Sequence, residues 1–427
     1  MVNAAPAASD VYRPKLATTF AEGYGLADLR KDAAAGLTVA IVALPLSMAI
    51  AIASGVSPDR GLYTAIVGGF LVSALGGSRF QIGGPAGAFI VLVAATVAKF
   101  GVEGLALTVL MSGMMLTLIG ALRLGSLIRH IPHTVTVGFT AGIAVTISAS
   151  QLKDLFGLTL SAREPGQFIP KMAALAHAAP SANLAAVGLA AAAIAITGGL
   201  RRWKPLWPGM LIAVATVGAA AAFLHLPVET IGSRFGGIPH GLPAPRLPAI
   251  SLHEALAVLP AALSFTLLGG IESLLSAVVA DGMTGRQHRS NMELIAQGVA
   301  NMASSVFGGI SVTGTIARTA TNIRAGARSP VSGLLHAGFL LGFMMVAAPL
   351  ASYVPVSALA GVLIVVAWNM AEKAEAARLL RDWRTAGVLI VTFGLTVLRD
   401  LTSGILAGCG LALIFWAAHR WRIHRGV

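Results

Sequence analysis

Three observations on the sequence predict an all-α polytopic membrane protein. Hydrophobic residues make up 56% of the 427 positions and charged residues only 11%. The mean hydropathy is +0.81, whereas a soluble protein carries about 25% charged residues. Apolar runs long enough to cross a bilayer, such as the one from Leu37 to Gly55, recur along most of the chain.

Fourteen hydrophobic segments can be distinguished along the chain. They cover residues 33–55, 60–76, 85–98, 103–122, 131–151, 182–199, 207–225, 255–281, 291–307, 315–325, 331–350, 354–370, 384–398 and 401–420. The third and tenth are short, and they follow similar lead-ins, "LGGSRFQIGGPAGA" from Leu75 and "FGGISVTGTIARTA" from Phe307. Each is the third segment in a set of seven. Because seven is an odd number of crossings, the second set would enter the membrane from the opposite side. We therefore expect two inverted repeats, with half-helices at the third and tenth segments, each preceded by a short extended stretch.

The segments divide the chain into five parts. These are an N-terminal tail 1–32, a first repeat 33–225, an outer link 226–254, a second repeat 255–420 and a short tail 421–427. With these bounds, 22 of the 30 lysines and arginines fall on the side of the two termini. The positive-inside rule then predicts cytoplasmic termini. We expect a multi-pass protein of a bacterial inner membrane, and the distribution of the net charge of +13 argues against nucleic-acid binding.

The starts of the two half-helices predict an anion site. A helix N-terminus presents unpaired backbone N–H groups and the positive end of the helix dipole. Small residues at these starts let a ligand approach the backbone, and an arginine at the second start adds positive charge. The candidate residues are Gly84, Ala86 and Gly87 in the first start and Gly314, Thr315, Ala317 and Arg318 in the second.

Glu272 is the only acidic residue that the segment bounds place well inside a membrane segment. An intramembrane carboxylate is costly and indicates function by default. It would bind a coupling proton or sodium beside the anion, with Ser276 one turn further on the same face. The alternative is a structural ion pair with Arg318.

Pro45 interrupts the first segment in "VALPLSMAIA". A proline inside a helix frees backbone groups, which is tolerated in a membrane beside protein or a cavity. Leu46, Ser47 and Ile50 are then candidates for lining the site, and a simple kink is the alternative. The sequence contains no metal-ligand cluster and no nucleophile constellation, so we predict neither an enzyme nor a bound metal or cofactor.

Several of these stretches resemble the SulP family of sulfate-permease-type anion transporters. The resemblance runs from about Asp32 to Arg420 and includes three long motifs in order: "IGGPAGAFIVLV", "GGIESLLSAVVADGMTG" and "VTGTIARTATNIRAGARSP". It implies a core domain of segments 1–4 and 8–11 that moves as an elevator against a gate domain of segments 5–7 and 12–14. The substrate would be an anion such as sulfate, bicarbonate, chloride or a dicarboxylate.

Transferred by this resemblance, the site falls on seven residues: Leu46, Ile50, Ala86, Glu272, Ser276, Ala317 and Arg318. Some relatives carry polar or aromatic residues where this chain has aliphatic or small ones, which leaves the anion open. Sodium-dependent bicarbonate carriers of the family have aspartate where Glu272 stands, which favours proton coupling or exchange here. We also expect a homodimer and no STAS domain. The remaining alternatives are an anion channel of the same fold and a nucleobase permease.

Overall fold

The computed structural model describes residues 12–125, 132–162, 164–204, 207–248, 250–399 and 401–424, without the side chains of residues 401 and 418–424. The ends of both predicted tails and the first residue of the predicted fifth segment lie outside these ranges.

The described part of the first half of the chain is helical, with short irregular connections. Its helices are α1 Lys15–Ala21, α2 Leu26–Ala53, α3 Pro58–Tyr63, α4 Gly69–Leu75, α5 Ile90–Ala121, α6 His133–Phe156, α7 Phe168–Ala178, α8 Leu184–Trp203 and α9 Gly209–Phe223. A π-helical turn, Thr64–Gly68, joins α3 to α4, and a 3-10 turn, Gly87–Phe89, leads into α5.

The second half continues in the same manner. Its helices are α10 Ile231–Phe235, α11 Leu252–Thr284, α12 Ser290–Val306, α13 Ile316–Arg324, α14 Val331–Ala351, α15 Val356–Met370, α16 Lys373–Leu379, α17 Trp383–Leu398 and α18 Leu401–His424.

Seven helical stretches among the described residues are long and apolar enough to cross a bilayer. They are Leu26–Ala53, Gly87–Ala121, His133–Phe156, Leu184–Trp203, Leu252–Thr284, Val331–Ala351 and Val356–Leu379. The expectation of a helical multi-pass membrane protein is confirmed. Each of the fourteen predicted segments falls on a described helix, and their arrangement as fourteen crossings in two inverted repeats stays a prediction.

The third and fourth predicted segments differ most from their expected form, because both belong to one helical element, α5. The backbone breaks at Gly101, with φ 71° and ψ −171°. Glycine adopts a positive φ without the steric cost that a side chain would bring. The segment bounds left residues 99–102 between two segments, and the structure has a glycine break at this point within α5.

Close helix packing depends on small residues. In α5 and α12, a side chain at Gly113 would meet the carbonyl oxygen of Gly298, and one at Gly298 would meet that of Gly113. A glycine also allows close packing of α6 against α17, where Gly138 contacts Leu389 and Thr392. Backbones that approach this closely gain dispersion contacts, the main attraction between helices in a membrane.

A two-stranded sheet joins the two halves of the chain. Its strands, β1 Gly83–Gly84 and β2 Thr313–Gly314, pair antiparallel, with Gly83 opposite Gly314 and Gly84 opposite Thr313. The extended lead-ins that the sequence predicted are therefore present, and they are hydrogen-bonded to each other. The pairing sets the start of α5 beside the start of α13.

Candidate functional site

The two half-helix starts face the same region of the protein. Ala86, with φ −116° and ψ 145°, precedes the 3-10 turn that opens α5. Thr315, with φ −109° and ψ 123°, precedes α13. Neither start has a hydrogen bond from a capping side chain. Both therefore keep the partial positive charge of an uncapped helix N-terminus.

Arg318 lies between these starts and is 2% exposed. Its Nη2 donates to Ser47 Oγ and to the carbonyl oxygen of Pro85, each at 3.2 Å. Its Nε and Nη1 are buried and have no hydrogen-bond partner among the residues that the structure describes. A buried guanidinium with two unused donors is costly unless a ligand accepts from them.

Gly84 adjoins this guanidinium. A Cβ built at Gly84 would lie 2.0 Å from Nη1 of Arg318, far inside van der Waals contact. The absence of a side chain at position 84 therefore leaves room for the guanidinium. Arg318 contacts two other predicted site residues, Ser47 and Gly84.

The remaining candidates of the first segment and the first start have different surroundings. Leu46, Ile50 and Ala86 are buried in the main hydrophobic core. A Cβ at Gly87 would lie 3.2 Å from Ile147 Cδ1 of α6 and 3.4 Å from the Met370 sulfur at the end of α15. Gly87 thus marks the point where the first half-helix meets these two helices.

At the second start, Ala317 is exposed although Arg318 beside it is buried. The start of α13 is therefore open to the outside of the protein on one face. The backbone N–H groups of Gly314 and Thr315 already have hydrogen-bond partners at the paired strands. The Gly314 N–H donates to Ser273 Oγ at 3.2 Å, and the Thr315 N–H donates to the Ile82 carbonyl at 3.1 Å.

Glu272 lies on α11 with its Oε2 buried and without a hydrogen-bond partner. Among the described residues it forms no ion pair with Arg318, so the structural ion pair considered from the sequence is not formed. Ser276, one turn further along, is fully buried and its hydroxyl donates to Thr319 Oγ1 at 3.3 Å. Ser276 therefore ties α11 to α13.

Sequence reasoning missed a polar network that holds the paired strands. Ser273 Oγ lies 2.8 Å from Thr313 Oγ1, and Gln81 Nε2 donates to the Ser273 carbonyl at 3.2 Å and to Glu293 Oε1 at 2.7 Å. Glu293 is fully buried near the start of α12. Glu293 is therefore a second acidic residue, besides Glu272, that the helices enclose. The segment bounds had placed Glu293 at the edge of a membrane segment.

Asp32 is a second group that sequence reasoning missed, since it was read as the end of a tail. It is fully buried. Its Oδ1 accepts from the backbone N–H groups of Arg328 and Ser329 at 2.6 and 3.2 Å. Its Oδ2 accepts from the hydroxyls of Ser329 and Tyr24 at 2.5 and 2.9 Å. These hydrogen bonds hold the loop after α13 against the N-terminal part of α2.

Within the ranges that the structure covers, no group of three or more histidine, cysteine or acidic side chains is arranged to hold a metal ion. The candidate site therefore consists of backbone N–H groups, Arg318 and hydroxyl side chains, with a carboxyl group on α11.

Comparison with known proteins identifies the family of the chain. The model of the sulfate permease family matches residues 29–394. The putative sulfate transporter YvdB of Bacillus subtilis is 44% identical over 398 residues, which cover 92% of this chain and 75% of that protein.

Two solved structures share the fold. The transmembrane domain of a cyanobacterium bicarbonate transporter, BicA, superposes with a TM-score of 0.81 at 30% identity, covering 90% of this chain and 98% of that one. The murine anion transporter Slc26a9 in its inward-facing state has a TM-score of 0.87 at 18% identity, covering 98% of this chain and 73% of that one. The chain belongs to the sulfate permease family.

Proposed function

We propose that the protein is a secondary active transporter of a small inorganic or carboxylate anion. The observation that carries the proposal is the guanidinium of Arg318. It is buried between two uncapped half-helix starts, and its Nε and Nη1 have no partner in the protein. Preorganised donors and dipoles of this kind bind an anion strongly because little water competes with them.

The anion would accept from the free donors of Arg318 and from the first-turn N–H groups of both half-helices. Ser47 and the Pro85 carbonyl hold Nη2 away from this position, which leaves Nη1 and Nε for the ligand. Two relatives are named for sulfate and bicarbonate. Small oxyanions of this class suit a site made of fixed N–H donors, and the family assignment favours them over a nucleobase.

The proposed architecture is fourteen crossings in two inverted repeats, with both termini in the cytoplasm of a bacterial inner membrane. The antiparallel pairing of β1 with β2 supports it, because two equivalent segments meet in opposite directions. Segments 1–4 and 8–11 would form the core and the other segments the gate, in a homodimer. Gly87, which contacts α6 and α15, then lies at the boundary along which an elevator motion would slide.

Glu272 is assigned the coupling cation, a proton or sodium, because a carboxyl group with a buried oxygen that has no partner among the described residues can take up either. Replacing Glu272 with glutamine is expected to keep anion binding and to lower accumulation driven by an imposed gradient at least about tenfold. The measurement is anion uptake into proteoliposomes with an inward proton gradient, an inward sodium gradient, or neither. Glu103→Gln, at an exposed carboxylate of α5, serves as the control. Full accumulation by Glu272→Gln would remove Glu272 from the coupling mechanism.

The proposed function itself is tested with purified wild-type protein and a panel of labelled sulfate, bicarbonate, chloride and oxalate. Saturable uptake of at least one anion, with accumulation above the outside concentration under a gradient, is expected. Uptake that only equilibrates and never saturates would indicate a channel. No uptake and no binding of any of the four would refute the proposal.

Substitution of Gly84 by alanine is expected to lower anion affinity about tenfold, because overpacking a well-filled site costs about 1–3 kcal/mol. The new methyl group would lie 2.0 Å from Arg318 Nη1 and would push the guanidinium away from the ligand. The affinity is measured by calorimetric titration of the anion that the panel identifies. Gly342→Ala, at a glycine of α14 with open space beside it, is the control. Equal affinities in Gly84→Ala and the wild type would show that Nη1 does not contact the anion.

A further inference from the structure

A cavity of about 510 Å³ lies apart from the residues around Arg318, none of which lines it. It is formed by the end of α6 and the stretch after it, the start of α8, α10 with the stretch before it, and the start of α15. Helix α15 packs on both α6 and α8. The volume is that of a small-molecule site, in which an apolar lining surrounds a few polar groups.

Hydrogen bonds between distant parts of the chain hold the walls of this cavity. The Asn183 N–H donates to the Phe156 carbonyl at 2.9 Å, and its Nδ2 donates to the Pro227 carbonyl at 2.6 Å. On the other wall, the Val356 N–H donates to the Glu229 carbonyl at 3.0 Å. Walls fixed in this way are preorganised, which lowers the entropy cost of binding a ligand.

Ser357 lines the cavity from the first turn of α15 and has two unused donors. It is 3% exposed, and its Oγ has no hydrogen-bond partner among the described residues. The N–H groups of a first helical turn have no partner inside the helix, and no described group accepts from the Ser357 N–H. Every other buried serine of the described ranges has a partner for its hydroxyl, as Ser54 and Ser332 do. Buried donors without acceptors cost free energy, which a ligand that accepts from both would recover.

Two cationic side chains line the cavity, and they differ in their partners. Arg234 Nη1 donates to Asp154 Oδ1 at 2.8 Å and to Glu229 Oε2 at 3.4 Å. Lys153, in the last turn of α6, forms no ion pair with a described residue. The two carboxylates are thus bonded to Arg234, and the ammonium of Lys153 is left for a negatively charged ligand.

Much of the remaining lining is apolar. Leu158, Leu160, Val228 and Val356 contribute to it. An inorganic oxyanion would leave this surface in contact with water, whereas a carbon skeleton would cover it. The lining therefore fits a ligand with an anionic end and an apolar body.

We propose that this cavity binds a small organic carboxylate, separately from the anion at Arg318. The carboxylate accepts from the N–H and the hydroxyl of Ser357, Lys153 balances its charge, and its carbon skeleton lies against the apolar lining. The cavity adjoins predicted segments 5, 6 and 12, which the proposed architecture assigns to the gate. The inference goes beyond the proposed function, because the transported anion binds elsewhere.

The experiment is equilibrium dialysis of radiolabelled benzoate, acetate and sulfate against purified Arg318→Met, in which the core site lacks its guanidinium. Saturable binding of benzoate is expected, at least about tenfold tighter than that of acetate, because the ring adds apolar area. Sulfate should bind more weakly than benzoate. Dialysis against detergent micelles without protein corrects for partitioning of the ligands.

The site is located by combining Arg318→Met with a change in the cavity. Ser357→Ala is expected to weaken benzoate binding about fivefold and Lys153→Gln about tenfold, each by removing one partner of the carboxylate. Both variants should fold, because the Ser357 hydroxyl has no partner to lose and Lys153 has no ion pair. If Lys153→Gln does not fold, Lys153→Met takes its place.

Two matched controls should bind benzoate as Arg318→Met itself does. Ser148→Ala changes a serine of α6 whose hydroxyl donates to the Ala144 carbonyl at 2.8 Å. Lys204→Gln changes an exposed lysine that does not line the cavity.

The outcomes separate this inference from the proposed function. If Arg318→Met binds no benzoate, or if neither Ser357→Ala nor Lys153→Gln weakens the binding, the inference is wrong. Sulfate binding as tight as that of benzoate would also overturn it, since the ligand would not be an organic carboxylate. If wild type and Arg318→Met bind every anion of the transport panel equally while the cavity variants weaken benzoate binding, the anion site at Arg318 fails and this inference stands.

Discussion

Replacing Arg318 with alanine is expected to reduce anion uptake on the order of a hundredfold while leaving the protein folded. The loss follows from removing a charge-assisted donor from a buried site, which is worth about 2–3 kcal/mol. The stability of the folded state should fall less, because two of the three guanidinium nitrogens have no hydrogen-bond partner in the described part of the chain. Removing a poorly paired buried charge is often neutral or stabilising.

The variant Arg318→Met separates charge from volume, since methionine fills much of the same space without a donor. We expect it to lose uptake as Arg318→Ala does and to melt at the wild-type temperature or above. Arg324→Ala, at an exposed arginine on the same helix, is the control and should transport normally. Uptake within a factor of about two of the wild type in Arg318→Met would show that the guanidinium does not bind the anion.

Replacing Asp32 with alanine is expected to have the largest effect on stability, a loss of about 3 kcal/mol or more. The substitution would remove four hydrogen bonds that the carboxylate accepts. It would also leave the backbone N–H of Ser329 buried without an acceptor. Thermal unfolding of the purified variant, followed by tryptophan fluorescence, measures the effect.

Asp32→Asn keeps one acceptor oxygen and should lie between the alanine variant and the wild type. Asp28→Asn serves as the control, because this carboxylate, one turn earlier on α2, is linked only to the N–H of Gly25 at 3.4 Å. A melting temperature for Asp32→Ala equal to that of Asp28→Asn would mean that the loop after α13 is held by other contacts.

The sequence predicted the features of the site that local chemistry determines. Two glycine-rich lead-ins indicated extended segments before short helices, and the structure has both, paired as β1 and β2. Arg318 could be identified as a candidate site residue in the same way, because the neighbouring residues at the start of its segment are uncharged and mostly small. Helix periodicity and the cost of charge in a membrane are properties of short stretches, so the sequence displays them directly.

The hydrogen bonds that the sequence did not predict join residues that are far apart in the chain. Gln81 and Glu293 are 212 residues apart and Asp32 and Ser329 are 297 apart, yet each pair is hydrogen-bonded. No local pattern specifies such partners. The alternative of an ion pair between Glu272 and Arg318 could not be decided from the sequence for the same reason, because the distance between the two side chains depends on how α11 packs against α13.

The pairing of β1 with β2 has a consequence for biosynthesis. Ile82 donates its backbone N–H to Thr319 Oγ1 across 237 residues of sequence. During translation the first half of the chain is therefore complete long before its partner strand exists, and contacts of high sequence separation form slowly. Until the tenth segment arrives, the polar backbone of Gly83 and Gly84 is left unpaired inside an apolar bundle. The strand pairing, and the candidate anion site that it positions, can therefore form only after residues 313–314 have been synthesised.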